Sequence, residues 1–153
     1  MARGAYVLRD AEGTPDVILV GTGSEVGLCV MAREKLASYG IHARVVSMPC
    51  MSLFAEQPLE YRESVLPRGV ARRVTVEAGT TFGWDRWAGD GGAMIGIDRF
   101  GASAPGDVVL RNLGFTAGAV AAAALRLLGR DAEAAKEADS TETAMAGPTL
   151  SHR

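Results

Sequence analysis

Val17-Ile18-Leu19-Val20-Gly21-Thr22-Gly23-Ser24-Glu25 decides how this chain folds. A continuous apolar run bounded by turn residues fits a strand buried on both faces, as in a parallel sheet. Gly21-Thr22-Gly23 breaks the run. Ser24 stands where a helix needs an N-cap, and Glu25 falls in the first turn, where the helix dipole favours an acid. The helix then runs to about Tyr39, with Val26, Val30 and Leu36 among its inward residues. Gly40 follows as a C′ residue that takes φ > 0 without penalty.

The pattern repeats outward from this unit. Tyr6-Val7-Leu8 is a short β-prone start, followed by a polar turn over 9–15. Ala43-Arg44-Val45-Val46-Ser47 reads as a strand ended by Met48-Pro49. Residues 58–65 form a short helix, with Pro58 near its first position and Pro67 stopping it. Residues 73–77 and 93–97 are further strands, with an exit loop over 78–81 and one helical turn at 83–87. Ser103 and Pro105 start a helix that ends near Gly114, and Thr116 caps a last helix ending at Gly129. Strands alternating with helices at this spacing predict a three-layer α/β fold: a mostly parallel sheet with helices on both faces. The domain spans 1–129. Over 130–153 the pattern fails. Ala132, Ala134, Ala135 and Ala138 could support a frayed helix, but the stretch carries several acids and no Val, Ile or Phe. Too little surface can be buried to offset the ordering entropy, so a disordered tail is expected.

Bulk properties narrow the function classes. A length of 153 residues with 48% hydrophobic content suits one packed domain. A net charge of −2 without any block of Lys and Arg excludes the footprint of a nucleic-acid binder. The Arg72-Arg73 pair reads as a solvated strand start rather than a phosphate patch. No run reaches the ~18 apolar residues of a membrane helix. Residues 1–16 lack the apolar centre of a signal peptide, so a soluble, cytoplasmic protein is expected. Cys29 and Cys50 lie far apart without CxxC spacing; a disulfide is formally possible, and reduced thiols are the better reading. His42 falls in a loop as a surface side chain and forms no zinc-ligand spacing with the cysteines.

Four groups of residues are candidates for function. Gly21, Thr22, Gly23 and Ser24 join a strand to a helix, where dinucleotide-binding folds hold phosphate on free N–H groups. The spacing is GxGxxxG, one residue longer than the dinucleotide fingerprint, and Glu25 would add negative charge beside a phosphate. A tight turn that caps the helix is therefore preferred to an anion site. Glu77 ends a strand at the edge where α/β sheets place ligands. It has three open roles: pairing with Arg99, bonding loop backbone, or acid/base work; the structural roles are preferred. Asp98 and Arg99 also follow a strand, and Arg99 could clamp an anion or form a local ion pair. Phe82, Trp84, Trp87 and Phe100 gather near the strand exits, either as a core lid or as interface anchors. Trp84, Trp87, Asp98, Arg99 and Phe100 together form the candidate interface.

The ordered anchors that carry a family likeness are Tyr6-Val7-Leu8, Gly23-Ser24-Glu25, Val45-Val46-Ser47-Met48-Pro49, Tyr61-Arg62-Glu63-Ser64-Val65-Leu66-Pro67, Val76-Glu77-Ala78-Gly79, Ile95-Gly96-Ile97-Asp98-Arg99-Phe100-Gly101-Ala102-Ser103-Ala104-Pro105 and Gly114-Phe115-Thr116. With these, the chain from about Gly4 to Leu128 resembles the C-terminal domain of transketolase. Similar domains close other thiamine diphosphate enzymes, but the Asp-Arg-Phe-Gly-Ala-Ser-Ala-Pro run points to transketolase itself.

The resemblance implies a portion or subunit of a transferase that moves a two-carbon ketol unit between sugar phosphates in the pentose phosphate pathway. In that family thiamine diphosphate and a divalent metal are held by two other domains. The expected role here is packing and dimer support, with no catalytic, cofactor-binding or metal-binding residue on this chain. The implied partner is a chain carrying the thiamine diphosphate-binding domains, with a homodimer possible and neither nucleic acid nor membrane. No Gly-Asp-Gly followed by the family's Asn run is present. Departures from the family pattern are Gly106, which weakens a helix start by about 0.5–1 kcal/mol relative to Ala, Gly118 in place of a first-turn acid, and Trp84-Asp85-Arg86-Trp87. They suggest a divergent copy or a split-gene subunit. The alternatives are a free-standing anion- or nucleotide-binding module and a protein-docking module.

Overall fold

The computed structural model describes residues 2–97 and 114–145, the last five by backbone alone. Its elements run β1 (Tyr6–Arg9), β2 (Val17–Gly21), α1 (Glu25–Ser38), β3 (Ala43–Ser47), α2 (Met51–Ala55), α3 (Leu59–Val65), β4 (Arg73–Val76), α4 (Asp85–Ala88), β5 (Ala93–Ile95), α5 (Ala117–Leu127) and α6 (Asp131–Met145).

The sheet order is β1-β3-β2-β4-β5. β2 is central and pairs in parallel with β3 and β4, β5 continues the parallel set, and β1 closes the far edge antiparallel to β3. Every residue of β2 is buried, as its unbroken apolar run requires. Successive side chains point to opposite faces. Val17 and Leu19 therefore enter one core with Cys29, Leu36, Val120 and Ala134. Ile18 and Val20 enter a second with Phe54, Val65, Trp84 and Trp87. Helices α1, α5 and α6 cover the first face and α2, α3 and α4 the second, which gives the expected three layers.

Local chemistry sets the helix ends. Thr116 Oγ1 accepts the Ala119 N–H at 3.0 Å and caps α5. At the end of α1, Gly40 has φ 74°. The Gly40 and Ile41 amides donate to the Ala37 and Leu36 carbonyls, the two bonds of a Schellman motif. Ser24 departs from expectation: its backbone is helical, and its hydroxyl accepts no capping bond.

Two elements were not anticipated. α2 carries Phe54 into the second core, in ring contact with Trp87 and Tyr61. More consequentially, residues 131–145 form helix α6 where composition had suggested disorder. The folded unit thus continues beyond 129. Its anchors are tertiary. Ala134 is buried in the first core, and the Glu137 carboxylate accepts the Tyr39 hydroxyl at 2.9 Å and Lys35 Nζ at 3.0 Å. Arg130 donates to the Tyr39 carbonyl at 2.8 Å and pairs with Glu133. Acids that read as solvating in sequence become acceptors for α1. The helix expected from Ser103 to Gly114 and residues 146–153 of the tail lie outside the described residues.

Candidate functional site

The carboxyl ends of β2 and β4 form the natural ligand crevice of this sheet. The chain leaves β2 for α1 on one face and leaves β4 for α4 on the other, so the sheet reverses its winding between them. The Gly21 to Ser24 loop and Glu77 meet this edge.

At the first loop, α1 packs hard against the strand end. A Cβ on Gly21 would lie 3.0 Å from the Val26 backbone and 3.1 Å from Cys29 Sγ. The Glu25 amide donates to the Thr22 carbonyl at 3.2 Å and the Gly27 amide to Ser24 at 3.1 Å, so these N–H groups are already spent. Glu25 is only 6% exposed. Its Oε1 accepts the Ser24 hydroxyl at 2.8 Å, and its Oε2 lies 3.5 Å from the position of a Cβ on Gly23. Burial, with the Glu25 charge in second place, pushes the Cys29 thiol up to about 12. A phosphate at Gly21, Thr22, Gly23 and Ser24 would meet this carboxylate. The geometry supports the tight turn.

At the second loop, the Glu77 carboxylate accepts the Trp84 indole N–H. The Glu77 amide donates to the Ile95 carbonyl at 3.0 Å, and the Ile97 amide to Gly79 at 2.6 Å. Glu77 thus ties α4 to the strand exits, a structural role. Trp84 and Trp87 are 2% and 7% exposed. Both belong to the second core and neither can serve as a surface anchor of the candidate interface, because the α4 turn aims both rings into the space lined by Phe54 and Val20. The exposed ring is Phe82, at 87%. Asp98, Arg99 and Phe100, the rest of that interface, lie outside the described residues.

The described residues do not fit thiamine diphosphate or its metal. The loop best suited to a diphosphate carries a buried carboxylate, and no three His, Cys, Asp or Glu come together among the described residues. Gly89-Asp90-Gly91 forms a turn between α4 and β5, with the Gly92 amide on the Gly89 carbonyl at 3.1 Å and Asp90 exposed. His42 is exposed as expected, and both cysteines are free, Cys29 buried and Cys50 exposed.

Sequence reasoning missed the arginines. Arg73 is not a solvated strand start. Its guanidinium donates to the carbonyls of Val70, Trp87, Leu66 and Pro67 at 2.9–3.3 Å. No local signal separates it from the exposed Arg72; only the loop that folds back over it does.

Comparison with known proteins agrees with this account. A family profile described as "Transketolase-like TK C-terminal domain" matches residues 4–116. Transketolase of Nostoc sp. is 51% identical over 129 residues, which cover 84% of this chain and 19% of that protein. A solved transketolase from Leishmania mexicana superposes with TM-score 0.76 at 40% identity, covering 84% of this chain and 18% of that one. A solved chain titled "Split gene transketolase, inactive beta4 tetramer" shares the fold, with TM-score 0.64 at 21% identity over 86% of this chain and 44% of that one. The chain spans about a fifth of the length of the Nostoc relative. Carrying the fold, the matched profile and the sequence identity together, this chain belongs to the transketolase C-terminal domain family, part of the thiamine diphosphate enzymes.

Proposed function

We propose that this chain is the C-terminal portion or subunit of a transketolase. It supports two-carbon ketol transfer between sugar phosphates by packing against, and helping to dimerise, polypeptide that carries the thiamine diphosphate and divalent metal. The observation that carries this reading is 51% identity across the domain to a transketolase about five times as long. The closed geometry of the β2 and β4 exits supports a structural role, since Glu25 and Glu77 are both engaged in local bonds.

The test is reconstitution. The chain is mixed with a polypeptide carrying the two cofactor domains, and ketol transfer and co-elution are measured. Activity or assembly that requires this chain is the expected result. Neither activity nor co-elution, with both components folded, overturns the reading.

A further inference from the structure

We infer that the pocket between α3 and α4 binds a phosphate monoester, with arginines supplying the oxyanion contacts and buried rings the floor. Arg62, Arg68, Arg73 and Arg86 line it, against one carboxylate, Glu63. Its volume is about 240 Å³, room for a phosphate and a small organic group. It opens near the start of β4, away from the Gly21 and Glu77 loops, and its occupancy is independent of the proposed transketolase role.

One carboxylate offsets only part of the charge of four arginines in this pocket. Glu63 is spent on Arg68: Oε1 lies 2.8 Å from Arg68 Nε, and Oε2 accepts the Arg68 amide at 2.9 Å. Arg73 is half-buried and hydrogen-bonds neutral carbonyls, with the Glu63 charge acting on it through space rather than through an ion pair. Burial holds its pKa below the usual arginine value, against the opposing pull of Glu63. Arg62 uses Nε on the Gln57 carbonyl at 3.0 Å. Arg86 stacks its guanidinium 4.9 Å from the centre of the Trp87 ring and makes no ion pair among the described residues. Trp87 thereby gathers two cations, Arg73 on its carbonyl and Arg86 on its ring.

Gathering like charges at one concavity costs energy that an anion would recover, and a guanidinium fork matches phosphate oxygens bidentately. Phe54, Leu59, Leu66 and Trp87 supply apolar lining beside the charges. Charged groups converging beside an apolar floor suit a ligand with an anionic head and an apolar body. The combination favours a monoester with an apolar or planar body over free phosphate.

The experiment is calorimetry on the full chain with inorganic phosphate and with phenyl phosphate. Phenyl phosphate is expected to bind saturably at one site, more tightly than inorganic phosphate. Arg62→Gln with Arg86→Gln is expected to weaken it by about tenfold to a hundredfold, the worth of charge-assisted hydrogen bonds. Arg9→Gln with Arg126→Gln removes the same charge from exposed positions elsewhere and is expected to change binding little. Absence of saturable heat at millimolar ligand, or equal weakening in both double variants, overturns the proposal. Should the pocket double variant fail to fold by circular dichroism, Arg86→Gln alone decides, because Arg86 is exposed and bonds no backbone group. None of these outcomes depends on a partner chain, so the result stands apart from the reconstitution test.

Discussion

Replacing Arg73 with methionine separates the tertiary account from the sequence reading of this residue. Methionine keeps an unbranched stem against the second core and removes the guanidinium. Four hydrogen bonds vanish: Nε to Val70 at 3.0 Å, Nη1 to Trp87 at 3.1 Å, and Nη2 to Leu66 at 3.3 Å and Pro67 at 2.9 Å. The Pro67 carbonyl retains the Val70 amide at 3.1 Å; the other carbonyls lose this donor. A hydrogen bond from a charged donor contributes about 1.5–3 kcal/mol, and a neutral one about 1 kcal/mol. Bonds that share one cation are not additive, and water reaches this half-buried site. The expected loss is therefore about 2–4 kcal/mol, a large part of a stability of about 5–15 kcal/mol. Urea unfolding followed by the fluorescence of Trp84 and Trp87 measures it directly, since both rings lie in the same core. Arg73→Lys should recover about half, because an ammonium carries three donors but lacks the planar fork. Arg72→Met, which removes a single exposed bond to Leu127 at 3.2 Å, should cost under about 1 kcal/mol. If Arg73→Met unfolds within about 0.5 kcal/mol of the parent, the clamp is refuted and Arg73 is as solvated as its neighbour.

Trp84→Phe removes the indole donor from Glu77 and trims a fully buried side chain, and chemical denaturation should register about 2–3 kcal/mol. Adding Glu77→Leu should restore part of that loss, since no carboxylate is then left without its donor. Cys29, with its thiol pushed up to about 12, should resist Ellman's reagent at pH 8 while Cys50 reacts, one thiol in the native chain and two in denaturant. Cys50 should also gain reactivity at lower pH than an ordinary thiol, because the Ser52 hydrogen bond favours its thiolate. The hydrogen bond to Glu137 raises the Tyr39 pKa above its usual 10.0. Its contribution to stability is complete below pH 10 and is lost as pH climbs through the raised native value. Spectrophotometric titration of a chain ending at residue 130 should return Tyr39 to the ordinary range; an unchanged curve would show that α6 does not dock.

The strands were legible because their signal is local. Val17 to Val20 and Ala43 to Ser47 are apolar enough to be buried whatever surrounds them, and both form where expected. Gly40 and Thr116 announced helix ends because φ > 0 and side-chain capping are properties of single residues. Ser24 had the right chemistry for a cap, but its backbone is helical, with φ −68° and ψ −25°, rather than extended as a capping residue requires. Of the candidate site, the glycine loop has its Glu25 and Gly27 amides engaged locally and a buried carboxylate beside it. Trp84 and Trp87 had no sequence feature to distinguish an inward aromatic from an exposed one, and Phe82 nearby shows the opposite outcome.

Sequence alone determined the three-layer α/β architecture and the family, because periodicity, turn residues and ordered motifs are written along the chain. Tertiary structure alone decided which charges are spent and which are free. Glu137 and Arg73 look like ordinary surface residues until distant groups, Tyr39 and Lys35 for one, the carbonyls of Leu66 and Trp87 for the other, come within hydrogen-bond reach. Desolvation and pairing depend on distance in space. Residues 98 positions apart along the chain, such as Tyr39 and Glu137, leave no trace of their pairing in composition or period.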